Sequence, residues 1–261
     1  MTSLRLFFIG GILSYRALFS WLSPWIFIPT LLILPVMQIL LFVYVGRRAG
    51  IESDEFFVIG NAVQCSATPC LVAMASTIVG ERRMRTLGLV LSTPARRIPM
   101  FLGRSLPVIG NAWFVSLFSL VVGGFLLRIR IPSGAWLPIA LVVLVACISC
   151  TGLALVLAAL GLRLRDISTL SNITYGVLLI FCGVNVPLHL LPRWMSAVAQ
   201  YLPLTHAIEA ARRLAGGGSF SSVQQLLVRE LALGAMYAVL GLAALRYLEV
   251  RSRTKATLEA V

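Results

Sequence analysis

A chain of 261 residues that is 59% hydrophobic and 12% charged carries about half the charge of an ordinary soluble domain, which excludes a soluble globular fold. Its net charge of +13 would suggest nucleic acid in a soluble protein. In so apolar a chain, basic loops that hold orientation in a bilayer explain the charge, and no nucleic-acid partner is expected.

The chain begins with a candidate interfacial element. Arg5 and Arg16 stand eleven residues apart, three helical turns, and share one face. Leu4, Phe7, Phe8, Tyr15, Leu18 and Phe19 gather on the other. The pattern predicts an amphipathic N-terminal helix lying in the membrane interface, with an extended first span as the alternative. No convincing cleavage site follows, so a removable signal is not expected.

Five intervals then contain no Asp, Glu, Lys or Arg: Ala17–Gly46, Phe56–Gly80, Ser105–Leu127, Ile131–Leu162 and Ile167–Pro192. Each exceeds the roughly 20 residues that cross a bilayer as a helix. A sixth, Leu231–Leu245, reaches spanning length if Arg229 and Glu230 sit at the rim. Backbone polar groups in lipid must be satisfied within the segment, so these are helices. The expected fold is all-α: a polytopic membrane protein with six transmembrane helices, over about 24–45, 56–79, 105–127, 136–160, 167–187 and 226–246. The whole of 1–261 reads as a single transmembrane domain.

Placing the N-terminus inside puts 14 of the 22 basic residues on the cytoplasmic side and eight outside. The first outer loop also carries Glu52, Asp54 and Glu55. The bias favours cytoplasmic N- and C-termini. The connection from Leu188 to Val223 is long, yet its first half is apolar. Pro187, Pro192 and Pro203 cut it into pieces too short to span, and Trp194, Met195, Val198 and Leu202 recur at helical spacing. It predicts short re-entrant helices that dip into the outer leaflet between spans five and six, or else a surface amphipathic loop. Irregular backbone at that depth needs a cover of protein or water.

Little in the chain supplies chemistry of its own. A P-loop needs Gly-Lys before Ser or Thr, but the one lysine, Lys255, follows Thr254 and precedes Ala256. His189 and His206 stand 17 residues apart without carboxylate or thiolate partners, so no metal or cofactor is expected. The five cysteines, Cys147 and Cys150 among them, fall in predicted spans and imply no disulfide framework. The spans carry no ionisable residue near mid-membrane, which argues against an ion-coupled secondary carrier. A membrane-integral enzyme or scaffold would need a cluster of acids, bases or ligands, and His189, His206 and Glu209 are the only candidates. Uncharged polar residues do occur in the spans: Gln38, Asn61, Gln64, Asn111, Asn172 and Asn185. Each either lines a substrate path or bonds a neighbouring helix.

Gly80–Arg97 reads GERRMRTLGLVLSTPARR and holds five arginines. On a helix, Met84, Leu87, Gly88 and Leu91 form one apolar stripe, with Arg82, Arg83 and Arg85 mostly off it. Pro94 ends the helix. Such a ridge suits a groove on a soluble partner; the alternative is a basic loop resting on anionic headgroups.

This stretch resembles the cytoplasmic motif of ABC-2 type exporter permeases, the drug and antibiotic group in particular. Glu81 and Arg82 match its acidic-basic pair, Thr86 and Leu87 its centre, and Thr93-Pro94 its end. Arg85 stands where the family usually has Gly, and Gly88 where it usually has Glu. A second stretch, LPRWMSAVAQYLPLTHAIEAARRL, is similar to the family's segment before the last span, through Leu191-Pro192, Pro203, Thr205 and Arg212 or Arg213.

The resemblance implies half of a dimeric pore, homo- or heterodimeric, in a bacterial plasma (inner) membrane. A separate ABC ATPase subunit would hydrolyse ATP, so the chain itself is not expected to be an enzyme. Glu81, Arg82, Arg83, Met84, Arg85, Thr86, Leu87, Leu91 and Pro94 would form the coupling helix. Pro192, Trp194, Pro203, Thr205, His206 and Arg212 would belong to the outer re-entrant region. The cargo would be a small amphipathic molecule, a drug, antibiotic or lipid-like compound, moved out of the cell.

Overall fold

The structure, a computed structural model, describes residues 28–74, 97–161 and 167–255. The expected interfacial helix lies outside the described residues, as does the whole arginine segment from Glu81 to Pro94.

The protein is an all-α polytopic membrane protein, with no strand among the described residues. Among the described residues, five helical stretches are long and apolar enough to cross a bilayer: Pro29–Ala49, Asp54–Ala73, Ser105–Leu126, Ser133–Gly161 and Phe220–Tyr247. A sixth apolar helix, Ile167–Phe181, is shorter.

The first two stretches make a hairpin. A π-helical turn, Ile28–Ile33, leads into helix α1 (Leu34–Ala49). Gly50 closes α1 with φ at +61°, donating its N–H back to the Gly46 carbonyl at 2.9 Å, a left-handed cap that glycine adopts without strain. Ser53 then caps helix α2 (Asp54–Gln64), its hydroxyl accepting from the Phe56 N–H at 3.4 Å. Asp54 and Glu55 in the first turn suit the positive end of the helix dipole. Arg47 donates to Asp54 at 2.8 Å, tying the two ends of the turn together. Beyond α2 the backbone widens to a second π-helical turn, Pro69–Ala73, at a proline that has no N–H to give to the helical ladder.

Helix α3 (Arg97–Leu126) follows, then α4 (Trp136–Gly161), entered through a 3-10 turn at Ser133–Ala135. Helix α4 is the central pillar, with buried residues on most of its circumference and with α3, α5 (Ile167–Phe181), α7 (Thr205–Ala215) and α8 (Gln224–Lys255) packed on it. In lipid, apolar surface gives helices no reason to associate, so closeness of approach matters. Helix α8 achieves it with Gly234 and Gly241. A Cβ at Gly234 would stand 2.8 Å from the Ser149 Cα, and one at Gly241 2.7 Å from the Leu155 carbonyl carbon. The outward faces of α1 (Leu34, Met37, Leu41) and α8 (Val228, Leu231, Val239) are exposed and apolar, as a lipid-facing surface requires.

The last span, expected over 226–246, lies within one helix of 32 residues, Gln224–Lys255. One span ends elsewhere than expected. The fifth stops at Phe181, after 15 residues, not at Pro187. At about 1.5 Å per residue it reaches only ~22 Å, short of the hydrocarbon thickness. The cause lies in what the next residues bind.

Candidate functional site

Helix α6 (Arg193–Ala199) and helix α7 form the segment that the sequence reading places in the outer re-entrant region. Its short pieces are bound firmly to the rest. The Thr205 hydroxyl donates to the Ala199 carbonyl at 2.7 Å, and His206 Nε2 meets the Gln200 carbonyl at 3.2 Å. Burial lowers the His206 pKa, so the ring is neutral at physiological pH. The buried Pro203 offers its carbonyl to the Cys182 thiol at 3.2 Å. Trp194, just past Pro192 at the start of α6, stands edge-on to Phe181 with ring centroids 5.9 Å apart. Tyr237 on α8 donates to the Tyr201 carbonyl at 2.8 Å. Protein therefore covers one whole face of α7, from Thr205 to Ala215.

Charge clamps both ends of α7. At its N-terminus Leu204 adopts φ +79°, a region costing a branched side chain on the order of 1–3 kcal/mol. Glu230 of α8 holds it there, accepting from the Leu204 N–H at 2.8 Å and from the Ala207 N–H at 3.3 Å. Glu230 is fully buried and does not sit at a solvent rim, as the sequence had suggested. It supplies from a neighbouring helix the cap that α7 lacks in its own sequence. An acid two turns inside an apolar helix was the signal available for it.

At the other end, the Arg212 guanidinium reaches three carbonyl oxygens on two other segments. It donates to Gly183 at 2.8 Å, to Val184 at 2.8 Å, and to Phe56 at 3.0 and 3.3 Å. It also lies 3.4 Å over the Phe56 ring. Burial pushes its pKa down to about 9, against the pull of Glu52 and Glu209, so the group stays cationic at neutral pH. Here is the reason α5 ends early. The Gly183 and Val184 carbonyls turn away from a helical ladder toward Arg212, and Gly183, at φ +72°, makes that bend. Arg213, one residue on, points outward and pairs with Glu209.

Next to this clamp runs a chain of neutral polar groups through the middle of the spans. The Tyr175 hydroxyl donates to Gln38 Oε1 at 2.9 Å, and Gln38 Nε2 donates to Asn61 Oδ1 at 3.3 Å. Asn61 Nδ2 donates in turn to Asn185 Oδ1 at 2.7 Å and to the Phe57 carbonyl at 2.9 Å. Asn185 follows Val184, so the chain ends beside the Arg212 clamp. Of the six polar span residues singled out from the sequence, Gln38, Asn61 and Asn185 are thus brought together. Gln64 is fully buried, with neither side-chain polar atom bonded among the described residues. Asn111 is half-buried on α3 and Asn172 is exposed on α5. Tyr175 and Phe56 carry no such signal, since an aromatic residue in an apolar stretch has no distinctive spacing.

A cavity of about 200 Å³ opens beside Gln38 and Tyr175, bounded by α1, the residues just after α2, α3, α5 and both π-helical turns, with Asn172 on its wall.

Residues 11–214 match the family model of the ABC-2 type transporter. A comparison with curated proteins found no match. The matched stretch takes in the hairpin, the polar chain and nearly all of the clamped outer helix, so the chain belongs to the ABC-2 type transporter family, as a multi-pass membrane component of an ABC transporter.

Proposed function

We propose that the chain is the permease subunit of an ATP-driven exporter, one half of a dimeric pore that moves a small amphipathic molecule out of the cell. The family match over residues 11–214 carries this reading. The energy comes from a separate ATPase subunit, because the 261 residues hold no P-loop. That subunit docks on the ridge of Met84, Leu87 and Leu91, between the second and third spans. Helix α8 lies beyond the matched residues yet packs extensively on α4, which supports one transmembrane domain that includes it.

The reading predicts that mild-detergent purification recovers a second subunit that hydrolyses ATP. Recovery of the permease with no such subunit, from cells that export its cargo, overturns it. A secondary carrier is disfavoured by Glu230, whose carboxylate is already committed to two backbone N–H groups.

Orientation is open to a direct test. With cytoplasmic termini, the turn between α1 and α2 faces outward. Ser53 is exposed there, and Ser53→Cys costs only about 1 kcal/mol as a lost cap. An impermeant maleimide is expected to label this cysteine in intact cells. Labelling only after permeabilisation reverses the topology.

A further inference from the structure

We propose that the cavity beside Gln38 and Tyr175 binds an uncharged amphiphile that enters sideways from the bilayer, with its hydroxyl seated on those two side chains. The proposal rests on the exporter reading above and names the class of cargo that this single chain can hold.

Three observations carry it. The wall combines apolar side chains such as Leu71, Val72 and Val115 with the polar groups of Gln38, Asn172 and Tyr175, and among the described residues no Asp, Glu, Lys, Arg or His lines it. Gln38 lies near the middle of its span, where a ligand's charge would be stripped of water and left unpaired. A charged cargo is therefore excluded, whereas a hydroxyl is met. Gln38 Oε1 accepts one hydrogen bond, from Tyr175, and an amide oxygen has a second lone pair for a ligand donor.

The cavity is also accessible from the side. Among its lining residues Leu34, Thr68 and Asn172 are exposed, and Leu34 itself belongs to the apolar outward face of α1. A ligand dissolved in the hydrocarbon meets this opening without passing through water.

The third observation concerns the backbone. Both π-helical turns, Ile28–Ile33 and Pro69–Ala73, contribute to this one cavity. Such turns are rare, disrupt the regular helical ladder, and are frequent at functional sites. Two of them meeting at one hollow makes room where regular helices would pack closed.

The test is photolabelling of the full-length chain in nanodiscs. Three medium-chain probes, each bearing a diazirine, are compared at equal membrane concentration: an alcohol, its alkyl sulfonate and its alkane. The alcohol is expected to label peptides containing Leu34 and Val72 several-fold above the other two. Val72→Trp, which fills the cavity, removes the excess. Gln38→Leu, which removes the accepting oxygen, lowers it between about two- and tenfold, the effect of one hydrogen bond. Equal labelling by all three probes, or full labelling of Val72→Trp, shows partition alone and overturns the proposal. If labelling fails while an ATP-hydrolysing subunit still co-purifies, only the cavity assignment falls. If labelling holds and no such subunit appears, the exporter reading falls instead.

Discussion

Leu87→Asp is expected to lower coupled transport at least about tenfold while the chain still inserts and still spans the membrane. Seating one leucine in a partner's groove is worth about 1.5–3 kcal/mol, and a carboxylate in its place adds a desolvation cost. A loss of 1.4 kcal/mol is already a factor of about ten in affinity. The partner's ATP hydrolysis continues but no longer drives transport. The substitution also separates two accounts of the arginine segment. If the segment only rests on anionic headgroups, each basic residue contributes about 1 kcal/mol, and Arg83→Gln is the more damaging change. If the ridge is the contact, Arg83→Gln has little effect and Leu87→Asp a large one. Full transport by Leu87→Asp refutes the ridge.

Arg212→Leu is expected to destabilise the outer helix by about 2–4 kcal/mol, measured as reduced thermal stability in detergent. The estimate weighs two opposed effects. Removing a buried charge relieves its desolvation, but three carbonyls at Phe56, Gly183 and Val184 lose their donor, at about 1–3 kcal/mol each when left unsatisfied. Three such losses exceed the relief. Lysine is a poor replacement, because one ammonium lacks the planar fork that reaches two segments at once.

Gly60→Ala provides an independent check on the same clamp. A Cβ there would collide with the Arg212 guanidinium and stand 2.6 Å from the Val184 oxygen. The two substitutions should therefore be strongly non-additive, as changes at a shared contact are. Substitutions in the neutral chain of Gln38, Asn61 and Asn185 should cost less, about 0.6–2 kcal/mol each, as interhelical bonds in lipid do. Equal stability of Arg212→Leu and the native chain rules out the clamp.

Much of the molecule could be read from one-dimensional pattern. A stretch without charge that is long enough to cross hydrocarbon has few alternatives to a helix, because lipid offers its backbone no partners. The six apolar helices follow from that constraint, and the turn at Gly50 and Ser53 follows from local cap chemistry. The short outer helices were visible as well, since Pro192 and Pro203 cut the apolar run into pieces.

Other features depend on partners far away in the chain, and no local pattern contains them. Arg212 and Arg213 are equivalent in sequence. Only packing decides that one faces inward to three carbonyls while the other meets Glu209 outside. The end of α5 at Phe181 is set by Arg212, 29 residues after Gly183. Gln38 and Asn61 stand 23 residues apart, and Asn61 and Asn185 124, so a set of polar candidates became a chain only once three helices were brought side by side. Glu230 shows the limit most plainly. From sequence it was an acid near a helix end. Its role as the cap of α7 exists because α8 and α7 lie against each other, and a buried carboxylate must find donors wherever the fold leaves them.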